Sequence, residues 1–406
     1  MLYFALRMKY YIIAGEASGD LHGSNLIKEL KKKDTTAVIR CWGGDKMQAA
    51  GGELVKHYRD LAFMGFTEVI KNISTILKNI SFCKQDILQY NPSALILIDY
   101  PGFNLRIAKW AKQQRLKVIF YISPQLWAWN ESRVNLVKRY VDKMLVILPF
   151  EKEFYKKHGY SADYVGHPLV QVIENYKATY QNTSNRAKDE LLLSKKINGR
   201  KTENDGPQQK QEPIAGHQDV EIIALLPGSR RQELELKLPI MLEVAKHFPS
   251  YQFIVAKAPG IENSFYERFL FPYQNVSAVS DQTYLLLSRA TAALVTSGTA
   301  TLETALFGVP EIVCYKGNEL SYQIAKRLVK IKYISLVNLI MNKEVVKELI
   351  QKDLTVKNLV KELASILTDQ GKQQQIKNDY AELKNLLSLG GNASENAARI
   401  VVDFVT

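Results

Sequence analysis

Cysteine is scarce in this sequence. The 406 residues include three cysteines, an odd number, and they lie far apart: Cys41, Cys83 and Cys314. This number and spacing argue against a disulfide framework and match no metal-ligand pattern. Cys41 and Cys314 lie in apolar, strand-like contexts, so we interpret the cysteines as buried thiols of a reducing compartment, the cytoplasm.

Long apolar runs are also absent. No run reaches the roughly 18 residues that a membrane-spanning helix needs, so the sequence predicts none. The segment before Met8 is too short for a secretory signal. Met8 begins the first strand-like segment and is a candidate natural start, with residues 1–7 as a dispensable extension.

Acidic residues are outnumbered by basic ones. Lys and Arg total 54 against 41 Asp and Glu, a formal net charge of +13. Such an excess favours an anionic partner, which can be nucleic acid, anionic lipid or an anionic substrate. The sequence contains no recognisable nucleic-acid-binding module, so we favour lipid and substrate.

Short apolar runs are abundant, and they alternate with helical patterns. In the first half they predict strands at residues 10–14, 38–42, 94–98, 118–122 and 144–148. In the second half they predict strands at residues 222–226, 253–256, 276–279, 292–296 and 312–315. Fully apolar strands between amphipathic helices are typical of parallel sheets covered on both faces. The sequence therefore predicts an α/β fold of two Rossmann-like, doubly wound domains, with a helical tail from about Val356.

A polar segment separates the two sets of strands. Residues 198–218 hold few apolar side chains, and we interpret them as a disordered insertion without a functional role. The predicted organisation is a first domain at residues 8–170, a connection at 171–220 and a second domain at 221–386. A helix at 387–406 is expected to return to the first domain.

A phosphate-binding pattern follows the strand predicted at residues 292–296. The residues after it are small or hydroxylated and lead into a predicted helix: Ser297, Gly298, Thr299, Ala300 and Thr301. The free N–H groups and the dipole of such a helix start favour an anion. Glu303, one turn into the helix, is placed to accept ribose hydroxyls. The alternative is an ordinary helix capped by Ser or Thr.

A second pattern of this kind follows the strand predicted at residues 222–226. Its turn contains Gly228, Ser229 and Arg230 and leads into another helix. The planar guanidinium of an arginine suits phosphate oxygens. Two such turns in one half of the chain indicate a diphosphate ligand. The alternative for Arg230 is a surface salt bridge.

The loop after the first strand is polar but is not a dinucleotide-binding fingerprint. It lacks the G-x-G-x-x-G pattern, and Glu16 and Asp20 would repel a pyrophosphate. Polar groups at the carboxyl end of a strand still face the ligand crevice of a doubly wound sheet. We therefore interpret Glu16, Ser18 and Asp20 as groups on the acceptor or hinge side. The alternative is turn chemistry, with Asp20 capping a helix from Leu21.

Seven segments, in their order along the chain, resemble the lipid-A-disaccharide synthase family of inverting GT-B glycosyltransferases. They are GEASGDLHG at residues 15–23, DYPGFN at 99–104, SPQLWAW at 123–129, GHPL at 166–169, PGSR at 227–230, SGTAT at 297–301 and SLVNL at 335–339. The resemblance covers nearly everything from Met8 onward. The departures are residues 1–7 and the polar insertion, and neither touches a motif.

The resemblance implies a GT-B fold, with the two domains facing a cleft, and a reaction. UDP-2,3-diacylglucosamine is the implied donor and 2,3-diacylglucosamine 1-phosphate the implied acceptor, at the cytoplasmic surface of the inner membrane. The first domain would face the acceptor and the membrane, and the second would bind the UDP-sugar, with Asn338 among its ligands. No cofactor or metal is implied, and the sequence has no Asp-x-Asp motif; a homodimer is possible.

The resemblance also implies a general base, because an inverting transfer must remove the proton of the acceptor hydroxyl. Asp99 follows the strand at residues 94–98 and is our candidate catalytic residue. The alternative is a structural carboxylate that holds the next loop. His22 and His167 are rival bases, although the interpretation we favour for His167 is that it shapes the connection between domains.

An apolar stripe with helical spacing runs through residues 63–80. Its candidate membrane-contacting residues are Phe63, Phe66, Val69, Ile70, Ile73 and Leu77, with Lys71, Lys78 and Lys84 beside them. Such a basic amphipathic helix suits an anionic membrane surface. The alternative is a stripe that faces the core. Trp127 and Trp129 have the same two interpretations, a lipid-chain groove or core packing.

Two other functions are compatible with the sequence. Another GT-B enzyme of UDP-sugars, such as a 2-epimerase or a peptidoglycan-type transferase, would share the second half but not the loops at residues 16–20 and 123–129. A non-catalytic membrane-surface protein would bind UDP-sugars without turnover.

Overall fold

The computed structural model describes residues 7–61, 73–129, 131–181, 220–319, 322–323 and 331–406. The chain divides into two compact units. Unit 1 comprises Met1–Gln171 and Leu386–Thr406, and unit 2 comprises Val172–Asn385. The insertion predicted at residues 198–218 lies outside the described residues.

Unit 1 alternates strands and helices in the way that its apolar runs predict. Its strands are β1 (Lys9–Ala14), β2 (Val38–Gly43), β3 (Glu53–His57), β4 (Ala94–Ile98), β5 (Val118–Tyr121), β6 (Lys143–Val146) and β7 (Asp163–Tyr164). Its helices are α1 (Ala17–Lys33), α2 (Asp45–Ala49), α3 (Ile73–Tyr90), α4 (Pro101–Gln113), α5 (Leu126–Trp129), α6 (Val134–Tyr140) and α7 (Pro149–Lys157). The chain passes into unit 2 within α8 (Pro168–Gln181).

The sheet of unit 1 is parallel and buried on both faces. Its strand order is β3-β2-β1-β4-β5-β6-β7. Successive side chains of a strand point to opposite faces. Accordingly Tyr11 and Ile13 pack in one apolar cluster, and Tyr10, Ile12 and Ala14 pack in the other.

Unit 2 repeats this design. Its strands are β8 (Ile222–Leu226), β9 (Gln252–Lys257), β10 (Val276–Ser280), β11 (Ala290–Thr296), β12 (Glu311–Tyr315) and β13 (Lys347–Ile350). They form a parallel sheet in the order β10-β9-β8-β11-β12-β13. The helices between and after them are α9 (Arg231–Glu243), α10 (Asn263–Leu270), α11 (Thr283–Arg289), α12 (Thr299–Phe307), α13 (Leu336–Met341) and α14 (Val356–Thr368).

The last two helices are α15 (Gln370–Ser388) and α16 (Ala393–Val405). Helix α16 belongs to unit 1 and packs against α1. Its buried side chains join the cluster that holds Tyr10 and Ile12: Ala393, Ala397, Ala398, Val401 and Val405. Gly390, in the turn before α16, lies so close to the backbone of Gly166 that a side chain there would collide with it.

Candidate functional site

The two predicted phosphate-binding turns lie side by side in unit 2. We call the turn at residues 228–230, before α9, the first anion seat, and the turn at residues 297–301, before α12, the second anion seat. Strands β8 and β11 are neighbours, with Leu226 beside Val295 in the register. They flank the point at which the strand order reverses, where doubly wound sheets bind ligands. The loops after both strands line one cavity of about 420 Å³, which we call the β8–β11 pocket.

Most of the predicted UDP-sugar residues line this pocket. They are Gly228, Ser229, Arg230, Ser297, Gly298, Thr299, Ala300 and Glu303. The lining also includes residues that our sequence reasoning missed: Glu233, Ala256, Lys257, Ala258, Pro259 and Thr283. The signal for the group at residues 256–259 was available, because it lies at the carboxyl end of β9, the next strand of the same sheet.

Both helices that start at the pocket lack a side-chain cap. The N-cap of α12 is Gly298, with φ of 143°, and the N-cap of α9 is Arg230. Neither residue makes a capping hydrogen bond through its side chain. Gly228 also has a positive φ, 115°, which a residue with a Cβ adopts only with strain. The alternative of a Ser- or Thr-capped helix does not hold for α12.

Glu303 lies on the first turns of α12 and faces the pocket. Its Oε1 accepts a hydrogen bond of 3.0 Å from the Tyr284 hydroxyl. Burial raises the pKa of this carboxyl, and the Tyr284 hydrogen bond partly opposes that effect. A carboxyl held in this way can accept further hydrogen bonds from ligand hydroxyls.

Two predicted UDP-sugar ligands have other roles. Thr301 is fully buried, and its hydroxyl donates to the carbonyl of Gly298 at 2.8 Å. Asn338 is also fully buried, and its amide is saturated within the protein. Its Nδ2 donates to the Val346 carbonyl and the Glu348 carboxylate, and its Oδ1 accepts from two backbone N–H groups. These side chains hold the local fold, and their assignment to the UDP-sugar stays a prediction.

In unit 1, Glu16 and Asp99 lie at the equivalent reversal of strand order. They follow β1 and β4, which are neighbours, with Ala14 beside Ile98. Burial raises the pKa of Asp99 to about 6, and the charge of Glu16 adds to this effect. An ionised carboxylate with a raised pKa is a better proton acceptor than an ordinary aspartate. Ser18 is exposed on the first turn of α1.

The backbone around Asp99 is strained. Asp99 and Tyr100 have φ of 45° and 47°, and Ile122, at the end of the adjacent β5, has φ of 65°. Such left-handed conformations cost energy in residues with a Cβ and cluster at functional sites. Asn104 holds this turn, because its Nδ2 donates to the carbonyls of Ile98 and Asp99 at 3.2 and 2.8 Å.

Asp20 makes capping contacts, the kind of role that the alternative interpretation proposed for it. The side chain is buried, and both carboxylate oxygens accept from backbone N–H groups of Gly44, Lys46 and Met47, at 2.8 to 3.1 Å. It therefore caps α2. The helix start at Leu21, which the alternative assumed, is wrong, since α1 begins at Ala17.

The two rival bases are poor proton acceptors. Burial lowers the pKa of His22 to about 4. Burial and the proximity of His22 lower the pKa of His167 to about 3. In addition, Nδ1 of His167 already accepts from the N–H of Leu169 at 3.2 Å, at the start of α8.

Glu151, a buried carboxyl that sequence reasoning missed, contacts the residues that follow β5. Glu151 is 1% exposed and accepts from the Leu148 N–H at 3.0 Å and the Trp127 indole at 3.3 Å. Burial raises its pKa to about 8. The ring of Trp127 is half-buried and meets Phe150 edge-on, so this side chain packs on α7. The side chain of Trp129 is not described.

The predicted membrane helix is described only in part. Phe63, Phe66, Val69 and Ile70 lie outside the described residues, and so does the side chain of Ile73. Within α3, Leu77 is 56% exposed and Leu88, one more apolar residue of this helix, is 53% exposed. Ile76 and Ile80 instead pack in the core. The described part of the stripe therefore has some apolar side chains exposed to solvent and others packed in the core.

The described part of the chain contains no helix with the length and apolarity to cross a membrane. Its His, Cys, Asp and Glu side chains form no group of three or more with the geometry to hold a metal ion.

The chain is similar to known proteins over nearly its whole length. The model of a family described as lipid-A-disaccharide synthetase matches residues 10–203 and 193–402. Lipid-A-disaccharide synthase of Geobacter metallireducens is 35% identical, covering 97% of this chain and 96% of that protein. Lipid-A-disaccharide synthase 1 of Legionella pneumophila (strain Paris) is 37% identical, covering 93% and 92%.

Solved structures are similar in fold at low sequence identity. UDP-GlcNAc 2-epimerase of Neisseria meningitidis, bound to UDP-GlcNAc, gives a TM-score of 0.65 at 15% identity, covering 98% of this chain and 99% of that one. The Methanocaldococcus jannaschii epimerase, in complex with UDP-GlcNAc and UDP, gives 0.62 at 13%, covering 98% and 100%. These matches confirm the predicted GT-B fold. On the evidence of the family match and the relatives, this chain belongs to the lipid-A-disaccharide synthase family.

Proposed function

We propose that this chain is an inverting glycosyltransferase of lipid A biosynthesis. It transfers the sugar of UDP-2,3-diacylglucosamine to 2,3-diacylglucosamine 1-phosphate. The products are the β-1,6-linked disaccharide 1-phosphate and UDP. The observation that carries this proposal, beside family membership, is the pair of uncapped helix starts that share the β8–β11 pocket.

The pocket supplies what a departing UDP needs. Negative charge grows on the diphosphate as its bond to the sugar breaks. The starts of α9 and α12 direct N–H groups and positive dipole ends into the pocket, and Arg230 lines it. Groups already oriented toward the developing charge stabilise the transition state without rearranging. Glu303 is assigned to the ribose hydroxyls.

Asp99 is assigned the role of base. The acceptor 6-hydroxyl loses its proton to the Asp99 carboxylate while its oxygen bonds to the anomeric carbon of the donor. The bond from that carbon to the UDP oxygen breaks on the opposite face, so the configuration inverts. Glu16 raises the basicity of Asp99 through its like charge. The strained turn fixes the carboxylate at the strand end.

The acceptor and membrane assignments are also proposals. Unit 1 is assigned the acceptor, with Glu16 and Ser18 on its side. The enzyme is expected at the cytoplasmic face of the inner membrane, since both substrates carry acyl chains. The residues assigned to membrane contact are Phe63, Phe66, Val69, Ile70, Ile73 and the exposed Leu77 of α3.

The decisive experiment is mass spectrometry of the products formed from the two proposed substrates. We expect the tetraacyl disaccharide 1-phosphate and UDP.

Asp99→Asn should retain UDP binding and lose most turnover, since it removes the basicity of the side chain and keeps its shape. Arg230→Ala should lower kcat/KM by the equivalent of roughly 2–4 kcal/mol.

Three outcomes would contradict these assignments. A 2-epimer formed from UDP-sugar alone, or UDP binding without any product, would refute the proposed function. Asp99→Asn turnover within about threefold of wild type would reject Asp99 as the base. Wild-type kinetics of Arg230→Ala would remove Arg230 from the donor site.

A further inference from the structure

A buried lysine lies directly behind the β8–β11 pocket. Lys237, on α9, is 1% exposed. Its Nζ donates to the Thr296 hydroxyl and lies 3.4 Å from Oε2 of Glu233. A Cβ built on Gly228 would lie 3.5 Å from the same nitrogen, so the ammonium group sits beneath the first anion seat. A charge that is removed from water in this way requires a partner of opposite sign.

That partner, Glu233, is shared with Arg230. Its Oε1 lies 3.5 Å from the Arg230 guanidinium, and its Oε2 lies 3.4 Å from the Lys237 ammonium. Glu233 lines the pocket. One carboxylate is therefore held between two cations at a site proposed to bind a dianionic diphosphate. If Lys237 were absent, Glu233 would be neutralised by Arg230 alone, and its charge would oppose the ligand whenever Arg230 turned away.

Lys237 also joins the two seats. It belongs to α9, the helix of the first seat, and it bonds to Thr296, the last residue of β11 before the second seat. A hydrogen bond from a charged donor in a buried setting fixes geometry strongly. The distance between the two helix starts depends in part on this bond.

We propose that Lys237 is a positioning residue for the nucleotide diphosphate, acting through Glu233 and Thr296. The Lys237 ammonium pairs with the Glu233 carboxylate, so that the Arg230 guanidinium can bind phosphate oxygens instead. Its hydrogen bond to Thr296 holds the two helix starts at a fixed separation. Lys237 itself does not touch the ligand. This inference rests on the proposed function, because it assumes that the β8–β11 pocket binds UDP.

Calorimetric titration with UDP tests the inference in three variants of the Lys237 cluster and one control variant. Lys237→Met should weaken UDP binding about tenfold or more, the effect of losing one interaction with a charged group. Lys237→Met combined with Glu233→Gln should recover most of that loss, because the unneutralised carboxylate is gone. Lys237→Gln, which keeps a hydrogen-bond donor without the charge, provides the same comparison if the methionine variant does not fold.

Lys246→Met is the matched control. Lys246 also pairs with a glutamate of α9, Glu243, at 2.8 Å, but its side chain is 56% exposed and lies outside the pocket lining. UDP affinity should not change in this variant. Thermal unfolding of each variant separates lost binding from lost folding.

The outcomes are distinguishable. Failure of the wild-type protein to bind UDP would overturn the proposed donor site and this inference with it. If the wild-type protein binds UDP and Lys237→Met binds it with the same affinity, the inference is overturned and the proposed donor site is not. A double variant as weak as Lys237→Met would overturn the role assigned to Glu233, because it would show that Lys237 does not act by neutralising that carboxylate.

Discussion

At the scale of single residues, Asp99 combines three unusual properties. It has a left-handed backbone, a half-buried carboxyl and a like-charged neighbour, Glu16. The sequence indicated the position, since polar residues at strand ends meet at one edge of a parallel sheet. It did not indicate the strain, because Asp99, Tyr100 and Ile122 include no glycine to mark it. Strain of this kind is imposed by surrounding contacts, here by Asn104.

The first prediction concerns the pH dependence of turnover. A base acts when it is deprotonated, so kcat/KM should rise with pH through about 6, the raised pKa of Asp99, and level off above it. Glu16→Gln removes the like charge but not the burial. The acidic limb should therefore move to lower pH, by roughly half a unit to one unit.

The pH–rate profiles of wild type, Glu16→Gln and the control Glu29→Gln provide the test. Glu29 lies on α1, the helix that Glu16 directly precedes, and pairs with Lys32. An acidic limb that stays in place in Glu16→Gln, or that moves equally in both variants, would show that Asp99 does not control it.

The second prediction concerns Glu151 and stability. Burial raises the folded-state pKa of this carboxyl from 4.5 to about 8, so folding favours the neutral form. Its stabilising contribution is complete below about pH 4.5 and is lost as the pH rises through about 8. Because Gln does not titrate, Glu151→Gln should reduce the fall in unfolding free energy between pH 5 and 8.5, by roughly 2–5 kcal/mol.

Urea unfolding at the two pH values measures this difference. Glu153→Gln is the control on the same helix, since Glu153 has a 63% exposed side chain. Equal pH dependence in wild type and Glu151→Gln would mean that Glu151 is ionised in the folded protein at neutral pH.

At the scale of elements, the strands that the sequence missed share a physical cause. They are β3, β7 and β13, and each lies at an edge of its sheet. A central strand is covered on both faces and is a continuous apolar run, as β4 is. An edge strand contains polar and charged residues, such as Glu53, Lys56 and His57 in β3, or is too short to show a pattern, as β7 is.

Two of the predicted site residues hold other segments of the chain in place. Asp20 caps α2, which starts 25 residues later, and Asn338 holds the backbone around Val346. A polar side chain in a loop motif looks the same whether it contacts a ligand or another segment. The β8–β11 pocket was easier to predict, because each seat is contiguous in sequence and the strand pattern brings the two together.

The third prediction tests membrane contact by α3. Leu77 and Leu88 are both more than half exposed. Replacing both by Ser should weaken binding to anionic vesicles roughly tenfold, since less apolar surface enters the lipid. The melting temperature should hardly change, because neither side chain is in the core.

Phe271→Ser is the control for this test. Phe271 is 91% exposed but belongs to unit 2. Vesicle flotation and a melting curve on each variant provide the readouts. Unchanged flotation of the double variant, or equal loss in the control, would exclude α3 from the membrane contact.

At the scale of the whole molecule, unit 1 is discontinuous in sequence. Helix α16 covers β1 and α1, and its last carbonyls accept hydrogen bonds from Lys117 at 2.9 and 3.1 Å. The sequence analysis predicted a helix at residues 387–406 that returns to the first domain, but it did not predict that this helix packs on β1 and α1.

The fourth prediction follows from that coverage. A chain of residues 7–171 should lack a cooperative thermal transition, because the face occupied by Ala397 and Val401 is open to water. Joining residues 386–406 to it through a flexible linker of about ten residues should restore the transition. Circular dichroism during heating measures both. A cooperative melt of the shorter chain would show that α16 is dispensable for folding.

The position of α16 also sets the order of events during protein synthesis. The ribosome makes nearly all of unit 1 first, then all of unit 2, and only then the helix that closes the first core. At roughly 5–20 residues per second, the nascent unit 1 waits on the order of 10 to 40 seconds with an apolar face uncovered. During that interval it is a natural client for chaperones that bind exposed apolar surface, and rapid translation of residues 172–385 shortens its exposure.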